Sequence, residues 1–529
     1  MALAEHQDRA ARIEKWLRVL VMAVAVFLML LFVITAMERI RYPYELEELE
    51  GNMFLGALRV FHGQALYPRP SLEFIPYMYP PAYYYVSAAL GRVMGMTIAA
   101  PRLVSTLSTL GSFGMIYAIV YRETHQGLAK ASRRYLPAIA AAGFYAGCYT
   151  LSEGFFDSGR LDPFFLLTVL LAMYATRWLH PVAAALLWTL AFQTKQSILP
   201  AAFAMLCCDF GLGRTRRTLS GVVALALGAG GSVLWLNHAT GGWYSFYVFT
   251  VPGANADILL RPLLMFWPID MLRPFALPLL MMVAAVVLTR PSWSSRATRF
   301  YLAACSLLPL YWWIRTHDGS STNALMPIYV LLALLFGLAL ARLLEWLAQI
   351  GCTTPQGHGL VRTATLLVLL ATLLQLTARI YNPHNDRPTA DRRQAMDAVI
   401  AAVRSAPGEV YVAQHPYYAW LAGKPTQADL VSLHDAMRPV SPVRDELQAQ
   451  MRSALAEHRF SAILLDHPGS ANRIDRIADD GGAWRADFAV QRYLLPDDLE
   501  IRPDWILLHA PSSTAGFSVL ATPSEAQGR

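Results

Sequence analysis

Ala82–Met96 reads AYYYVSAALGRVMGM, and the placement of this stretch decides the arrangement of everything after it. It is apolar, yet at about fifteen residues it falls short of the roughly 20 that an α-helix needs to span a bilayer, and it carries Arg92. If it crossed, the loop holding Arg122, Lys130, Arg133 and Arg134 would face outward, and every later basic loop would invert with it. If it lies along the interface, that loop, the Arg214, Arg216, Arg217 loop and the Arg290, Arg296, Arg299 loop all fall on the cytoplasmic side. The positive-inside rule favours the second arrangement, so the expectation is an interfacial helix.

Composition sets the frame for that choice. Of 529 residues, 55% are hydrophobic and 15% charged, and the mean hydropathy is +0.36. A chain this apolar is an integral membrane protein, with the bilayer as its first partner. The net charge of +7 comes from 44 Lys and Arg against 37 Asp and Glu. Many of the basic residues sit in short gaps between apolar runs, as topology signals do, which argues against nucleic acid as a partner. The five cysteines show no CxxC spacing, so neither a disulfide framework nor a thiolate metal site is implied.

Residues 1–18 are polar and basic and precede an apolar run from Val19 to Met37, which reads as an uncleaved signal anchor with a cytoplasmic N-terminus. Further apolar runs lie at 101–121, 135–151, 163–178, 181–194, 196–211, 219–237, 274–289, 300–314, 323–347 and 361–380. Together they predict an α-helical polytopic membrane protein with about eleven transmembrane helices. After Ile380 the composition turns polar. Apparent strands at 409–413, 461–465 and 505–509 alternate with helical patterns near 390–405 and 443–457, as in a small C-terminal α/β domain. The division is therefore a cytoplasmic segment 1–18, a transmembrane domain 19–381 with its first outer loop at 38–100, and an extracytoplasmic domain 382–529.

The first outer loop opens on Glu45, Leu46, Glu47, Glu48, Leu49, Glu50 and Gly51. With Glu47–Gly63 as a helix, Leu46, Met53, Phe54, Ala57, Leu58 and Phe61 form one apolar stripe, and Glu50 lies within it. Glu48 shares a face with Asn52, Arg59 and His62, where a solvated carboxylate belongs. Glu47 lies at the edge, a turn before Glu50. A carboxylate on an apolar face wants a partner and suits a general base, so Glu50, then Glu47, are the candidate catalytic residues. Glu45 and Glu48 read as a solvated acidic rim.

Downstream come Gly63-Gln64-Ala65-Leu66-Tyr67, then Tyr79-Pro80-Pro81 with Tyr83, Tyr84 and Tyr85, then Pro101-Arg102-Leu103-Val104-Ser105. An acidic residue opening an amphipathic helix, followed by these motifs in this order, resembles the first outer loop of GT-C superfamily glycosyltransferases that use polyprenyl-phosphate sugars. The similar branch is that of the protein O-mannosyltransferases and the aminoarabinose transferases, glycosyltransferase family 39-like, and the resemblance covers roughly residues 20–340. In that family an outer-loop Asp or Glu is the catalytic carboxylate, often in an adjacent Asp-Glu pair; here the chain has Glu50-Gly51 with several carboxylates nearby. Arg160-Leu161-Asp162 resembles the R-x-D that opens a membrane helix in the superfamily. The resemblance also implies that Tyr79 and Asn323 contact substrate.

Chemistry adds to this. Arg160 can clamp a phosphate bidentately while Asp162 orients it or holds a metal; the pair equally suits a local ion pair capping a helix. Lys195 and Gln196 interrupt an apolar stretch and could meet a lipid-linked phosphate, or Lys195 could snorkel. The turn from Arg315 to Asn323 offers a cation and hydrogen-bond donors. Trp243, Tyr244, Phe246, Tyr247, Phe249 and Trp267 could stack on sugar or form an interfacial belt. His415, His434 and His467 lack metal-ligand spacing and read as surface histidines.

The resulting expectation is an inverting glycosyltransferase that moves a sugar from a polyprenyl-phosphate donor to an acceptor hydroxyl on a glycan, lipid or protein. Its site would lie outside a plasma membrane, bacterial in character. No cofactor is required by the spacing, although a divalent metal has a possible place between carboxylates and phosphate. A flippase for lipid-linked saccharides and a non-catalytic envelope assembly protein are the alternatives.

Overall fold

The structure, a computed structural model, describes residues 2–124, 131–210, 212–255, 257–292, 294–353, 358–466, 468–479, 489–493 and 505–509. Every apolar run read from the sequence lies largely in helix. The first seven helices are α1 (Ala2–Arg39), α2 (Glu50–Phe61), α3 (Ala82–Met94), α4 (Ala99–Thr124), α5 (Ala131–Ala146), α6 (Asp162–Trp178) and α7 (Pro181–Phe192). Among the described residues, six helices are long and apolar enough to cross a membrane: Ala11–Arg39, Ala99–Thr124, Thr215–Ala239, Leu260–Thr289, Thr322–Gly351 and Gly359–Thr377. The other expected spans are shorter. The 300–314 run breaks at Cys305 and Ser306 into two helices of 9 residues each, and α7 has 12 residues. Conversely, the 274–289 run extends backward to Leu260, taking up residues expected in an aromatic loop.

α3 is a helix of 13 residues. At about 1.5 Å per residue it is some 20 Å long, against a hydrocarbon core of about 30 Å. That length agrees with the expectation that it does not cross.

By its contacts the chain divides into two units that cut across the linear domain order. The first is Met1–Ile40, Leu103–Ser232 and Ala256–Arg387. Its centre is the Thr322–Gly351 span, 89% buried over its most apolar window, whereas Thr215–Ala239 is 17% buried and lies at the periphery. Small residues let the helices approach. A Cβ on Gly143 in α5 would lie 2.5 Å from the Ala25 Cα of α1, and one on Gly337 would lie 2.8 Å from the Ala141 Cβ of α5.

The second unit is Arg41–Arg102, Val233–Asn255 and Pro388–Arg529. Its sheet has the order β1-β2-β4-β3, with β1 (Glu409–Val412) parallel to β2 (Phe460–Leu465). β4 (Trp505–His509) runs antiparallel to both β2 and β3 (Ala489–Tyr493). Three strands match the sequence reading, and β3 is additional. Helices Ala390–Ser405 and Pro442–Ala456 also lie where the pattern placed them. The segment after α1 packs with the C-terminal region: Tyr42, Tyr44, Phe54 and Leu55 share one core with Val399, Val403, Val410, Tyr417 and Leu464.

The aromatic loop also enters this unit. Tyr244 and Tyr247 are buried, the Tyr244 ring packs edge-on to Tyr67 at 5.4 Å, and the Tyr247 hydroxyl donates to the Pro68 carbonyl at 3.0 Å. These two tyrosines are core, not belt, because both are buried among other rings and the Tyr247 hydroxyl is bonded there as well.

Gly143→Ala should force α1 and α5 apart and lower stability by about 1–3 kcal/mol. Gly114→Ala, where an added Cβ meets nothing within 4 Å, should be neutral or stabilising. Thermal unfolding of both variants in detergent checks this pair.

Candidate active site

Within the helical unit, the loop between α5 and α6 is bound into place along its length. It turns at Glu153 and Gly154, both at positive φ (53° and 74°), and a Cβ at Gly154 would meet the Arg39 guanidinium at 2.9 Å. Arg39, at the end of α1, donates to the Tyr149 hydroxyl at 2.7 Å and lies 3.2 Å from the Asp157 carboxylate. Two hydroxyls of α4 take loop carbonyls, Ser105 that of Arg160 and Thr109 that of Phe156, each at 2.7 Å. The loop's exit is thereby set, and Asp162 begins α6 with Pro163 in its first turn, a residue whose missing N–H costs nothing there.

Asp162 is the hub of a buried polar cluster. Lys195 Nζ lies 2.8 Å from Asp162 Oδ1, Asn323 Nδ2 donates to Oδ2 at 3.2 Å, and Arg160 Nε stands 4.0 Å from Oδ2. All four residues are buried. Lys195 reaches Asp162 because its own backbone is extended (φ −149°, ψ 111°) between α7 and a short 3₁₀ turn, which breaks the helical path. The Arg160 guanidinium lies 5.4 Å from the Phe155 ring centroid and Lys195 Nζ 5.9 Å from that of Phe165, so both cations have aromatic neighbours.

Four residues proposed from sequence thus converge, and two others belong to the same unit. Gln196 opens the 3₁₀ turn after Lys195, and Arg315, at the end of the Leu307–Arg315 helix, donates to the Ser320 carbonyl at 2.8 Å.

In the second unit, helical phase puts Glu50 on the buried face as expected, and it is fully buried. Its partner is Arg102, from the Pro101-Arg102 motif. Arg102 Nε donates to Oε1 at 2.7 Å and Nη2 to Oε2 at 2.6 Å, while the Leu46 N–H donates to Oε2 at 2.8 Å. Glu47 is half-buried and accepts from the Leu49 N–H at 3.2 Å; Glu48 is exposed. Tyr79 is half-buried, and its carbonyl accepts from the Tyr67 hydroxyl at 2.7 Å.

Two expectations are corrected here. Glu45 is 1% exposed rather than part of a wet rim, and His415 is 0% exposed rather than a surface histidine. His415 Nδ1 meets Glu45 Oε2, and its Nε2 lies 2.7 Å from Asp466 Oδ2. Burial pushes the Glu45 pKa up, to about 7, against the pull of His415. Burial opposes protonation of His415, but Asp466 and Glu45 outweigh it and hold the imidazole well above its ordinary value. No local pattern marks His415, because its partners lie about 370 and 51 positions away in sequence. His434 is indeed exposed at its side chain, and His467 lies outside the described residues.

Among the described residues, no group of three or more His, Cys, Asp or Glu is arranged to hold a metal ion. In the Glu45, His415, Asp466 set, the two carboxylates occupy opposite nitrogens of one ring, so the three do not converge on a point.

A polytopic helical membrane domain with a small α/β unit is a fold that recurs among solved structures. Two solved chains of ArnT from Cupriavidus metallidurans share it, one bound to undecaprenyl phosphate and one in the apo state. Each superposes with a TM-score of 0.55 at 12% identity over 99% of its length, covering 94% and 93% of this chain respectively. A weaker likeness, with a TM-score of 0.47 at 11% identity, is to the apo oligosaccharyltransferase from Archaeoglobus fulgidus, covering 88% of this chain and 73% of that one. No family model and no curated protein sequence matches.

Lys195→Met should leave the Asp162 carboxylate buried beside a lost cation and cost about 3–5 kcal/mol. Adding Asp162→Asn should recover part of that loss, which thermal unfolding of the single and double variants in detergent would measure.

Proposed function

We propose that this chain is a membrane glycosyltransferase that moves a sugar from a polyprenyl-phosphate donor to an acceptor hydroxyl, with inversion, on the extracytoplasmic side of a bacterial plasma membrane. The observation that carries this reading is the buried Arg160, Asp162, Lys195, Asn323 cluster. It stands in a chain that shares its fold with an ArnT solved with undecaprenyl phosphate.

The chemistry follows from charge. As the acceptor oxygen attacks the anomeric carbon, the bond from that carbon to the phosphate oxygen breaks and the leaving phosphate takes the electron pair. Arg160 and Lys195 are the cations suited to that developing charge, acting in a buried site where charge is stabilised more strongly than in water. Asp162 and Asn323 hold Lys195 and the adjoining turn in place. The acceptor's proton passes to a carboxylate of the acidic run. We assign that role to Glu47 ahead of Glu50, because Glu50 is fully buried against the Arg102 guanidinium whereas Glu47 is half-buried. Arg315, Gln196 and Tyr79 are assigned to donor or acceptor contacts. The acceptor class is a glycan, lipid or protein hydroxyl, and no step is routed through a metal.

Glu47→Gln should lower turnover by about 10²–10⁴-fold while undecaprenyl phosphate still binds, as native mass spectrometry of the purified protein would show. Arg160→Lys should instead weaken that binding by about tenfold, since an ammonium cannot replace a planar fork on phosphate. Reconstituted protein that transfers or hydrolyses none of a panel of undecaprenyl-phosphate sugars, in a strain whose envelope glycoconjugates do not change on deletion, would overturn the reading.

A further inference from the structure

The acidic run is held at both ends by buried ion pairs. Glu45 and Glu50 point inward, Glu45 onto His415 and Glu50 onto Arg102. Between them Glu47 is half-buried and Glu48 exposed. The backbone leading into the run is gripped as well. Four consecutive carbonyls accept from side chains: Tyr42 and Tyr44 from Arg102, Pro43 from the Tyr417 hydroxyl at 2.9 Å, and Glu45 from Arg392 at 3.4 Å. Irregular segments normally spend such carbonyls on water; here two of the three donors belong to the C-terminal region.

The fit leaves no slack at Gly51. A Cβ there would lie 1.6 Å from Glu45 Oε1 and 2.6 Å from the Tyr417 Cβ. The His415 ring is also stacked on Tyr418, with centroids 5.2 Å apart at 25°. A fully buried imidazole and carboxylate, with a second carboxylate only 16% exposed, are a costly way to pack a domain unless their geometry is needed.

We propose that His415 is a positioning residue of the transfer reaction: through Glu45 it clamps the N-terminal end of the acidic run, as Arg102 clamps the C-terminal end through Glu50, and so fixes where Glu47 is presented. This rests on the transferase reading for its effect on turnover, but the clamp itself does not. The C-terminal region thereby belongs to the catalytic apparatus, as the part that sets the conformation of the first outer loop.

The charged and titratable groups around His415 define how the clamp responds to pH. Glu45 and Asp466 contact the ring, Glu50 and Asp466 act on Glu45, and Tyr418 lies against the imidazole with Arg392 and Tyr42 nearby. Because the folded protein raises the His415 pKa, the stabilisation from its proton is fully present below the unfolded value of about 6.5. It is lost as pH rises through the folded value.

The test uses the full-length protein in detergent and in liposomes containing undecaprenyl-phosphate sugars. Hydrogen exchange of the Leu46–Glu50 amides should quicken in His415→Asn and in Glu45→Gln, and the double variant should be no faster than the singles. Turnover should fall by up to about 100-fold with undecaprenyl phosphate binding retained. The alkaline limb of the pH profile should move to lower pH by about one unit or more in Glu45→Gln, since one carboxylate holding the imidazolium is gone. If His415→Asn does not fold, Glu45→Gln alone decides. Unchanged exchange at 46–50 in a folded variant would overturn the clamp, as would quicker exchange with wild-type turnover and an unmoved alkaline limb. Quicker exchange with no transfer by the wild type would uphold the clamp and refute the transferase reading instead.

Discussion

The buried pairing of Arg102 with Glu50 is the constraint on which the second unit depends. A guanidinium taken out of water must find partners for its donors or cost several kcal/mol. Arg102 meets that demand with both oxygens of one carboxylate and the carbonyls of Tyr42 and Tyr44. Satisfying the charge therefore draws three segments together: the chain after α1, the start of α2 and the start of α4. Such a pair adds little net stability compared with apolar packing, but it admits few alternative arrangements, and that selectivity is its use here. The apolar core of Phe54, Tyr417 and Leu464 supplies the favourable free energy; the ion pair fixes the register in which that core forms.

The same logic recurs in the helical unit on a smaller scale. Arg39 organises the loop after α5 through Tyr149, Asp157 and Gly154, and the Ser105 and Thr109 hydroxyls take carbonyls that would otherwise lie unpaired in an apolar setting. The result is a loop rigid enough to present Arg160 and Asp162 to Lys195 and Asn323. Charged groups this deeply placed in a membrane protein are expensive and tend to be functional. A cluster assembled on bound backbone keeps its geometry.

Much of this was legible in one dimension. Apolar run length located the helices, and loop charge together with the shortness of Ala82–Met96 separated α3 from the spans. Short apolar runs in a polar region marked β1, β2 and β4, and helical phase put Glu50 inside and Glu48 outside. Arg160, Asp162, Lys195 and Asn323 were each visible as polar residues at the ends of apolar runs. What escaped was pairing. Nothing near Glu45 in sequence distinguishes it from Glu48, and nothing near His415 predicts burial, because each owes its environment to a partner hundreds of residues away. Tyr244 and Tyr247 misled for a related reason: an aromatic at a membrane boundary and an aromatic in a core look alike until their neighbours are known.

By itself, then, the sequence determined the periodic and compositional facts: a polytopic helical chain, a polar α/β tail, an acidic run, and the set of residues from which a site could be drawn. These depend on interactions within a turn or two, or on the solvent each stretch prefers, and such information is local. Only the tertiary structure decided which charges neutralise one another. It joined Glu50 to Arg102, Glu45 to His415 and Asp162 to Lys195, and it merged the segment after α1 with the C-terminal region in one core. Electrostatic and packing energies depend on distances in space, and residues of one type at different positions become distinct only when the fold assigns them different neighbours.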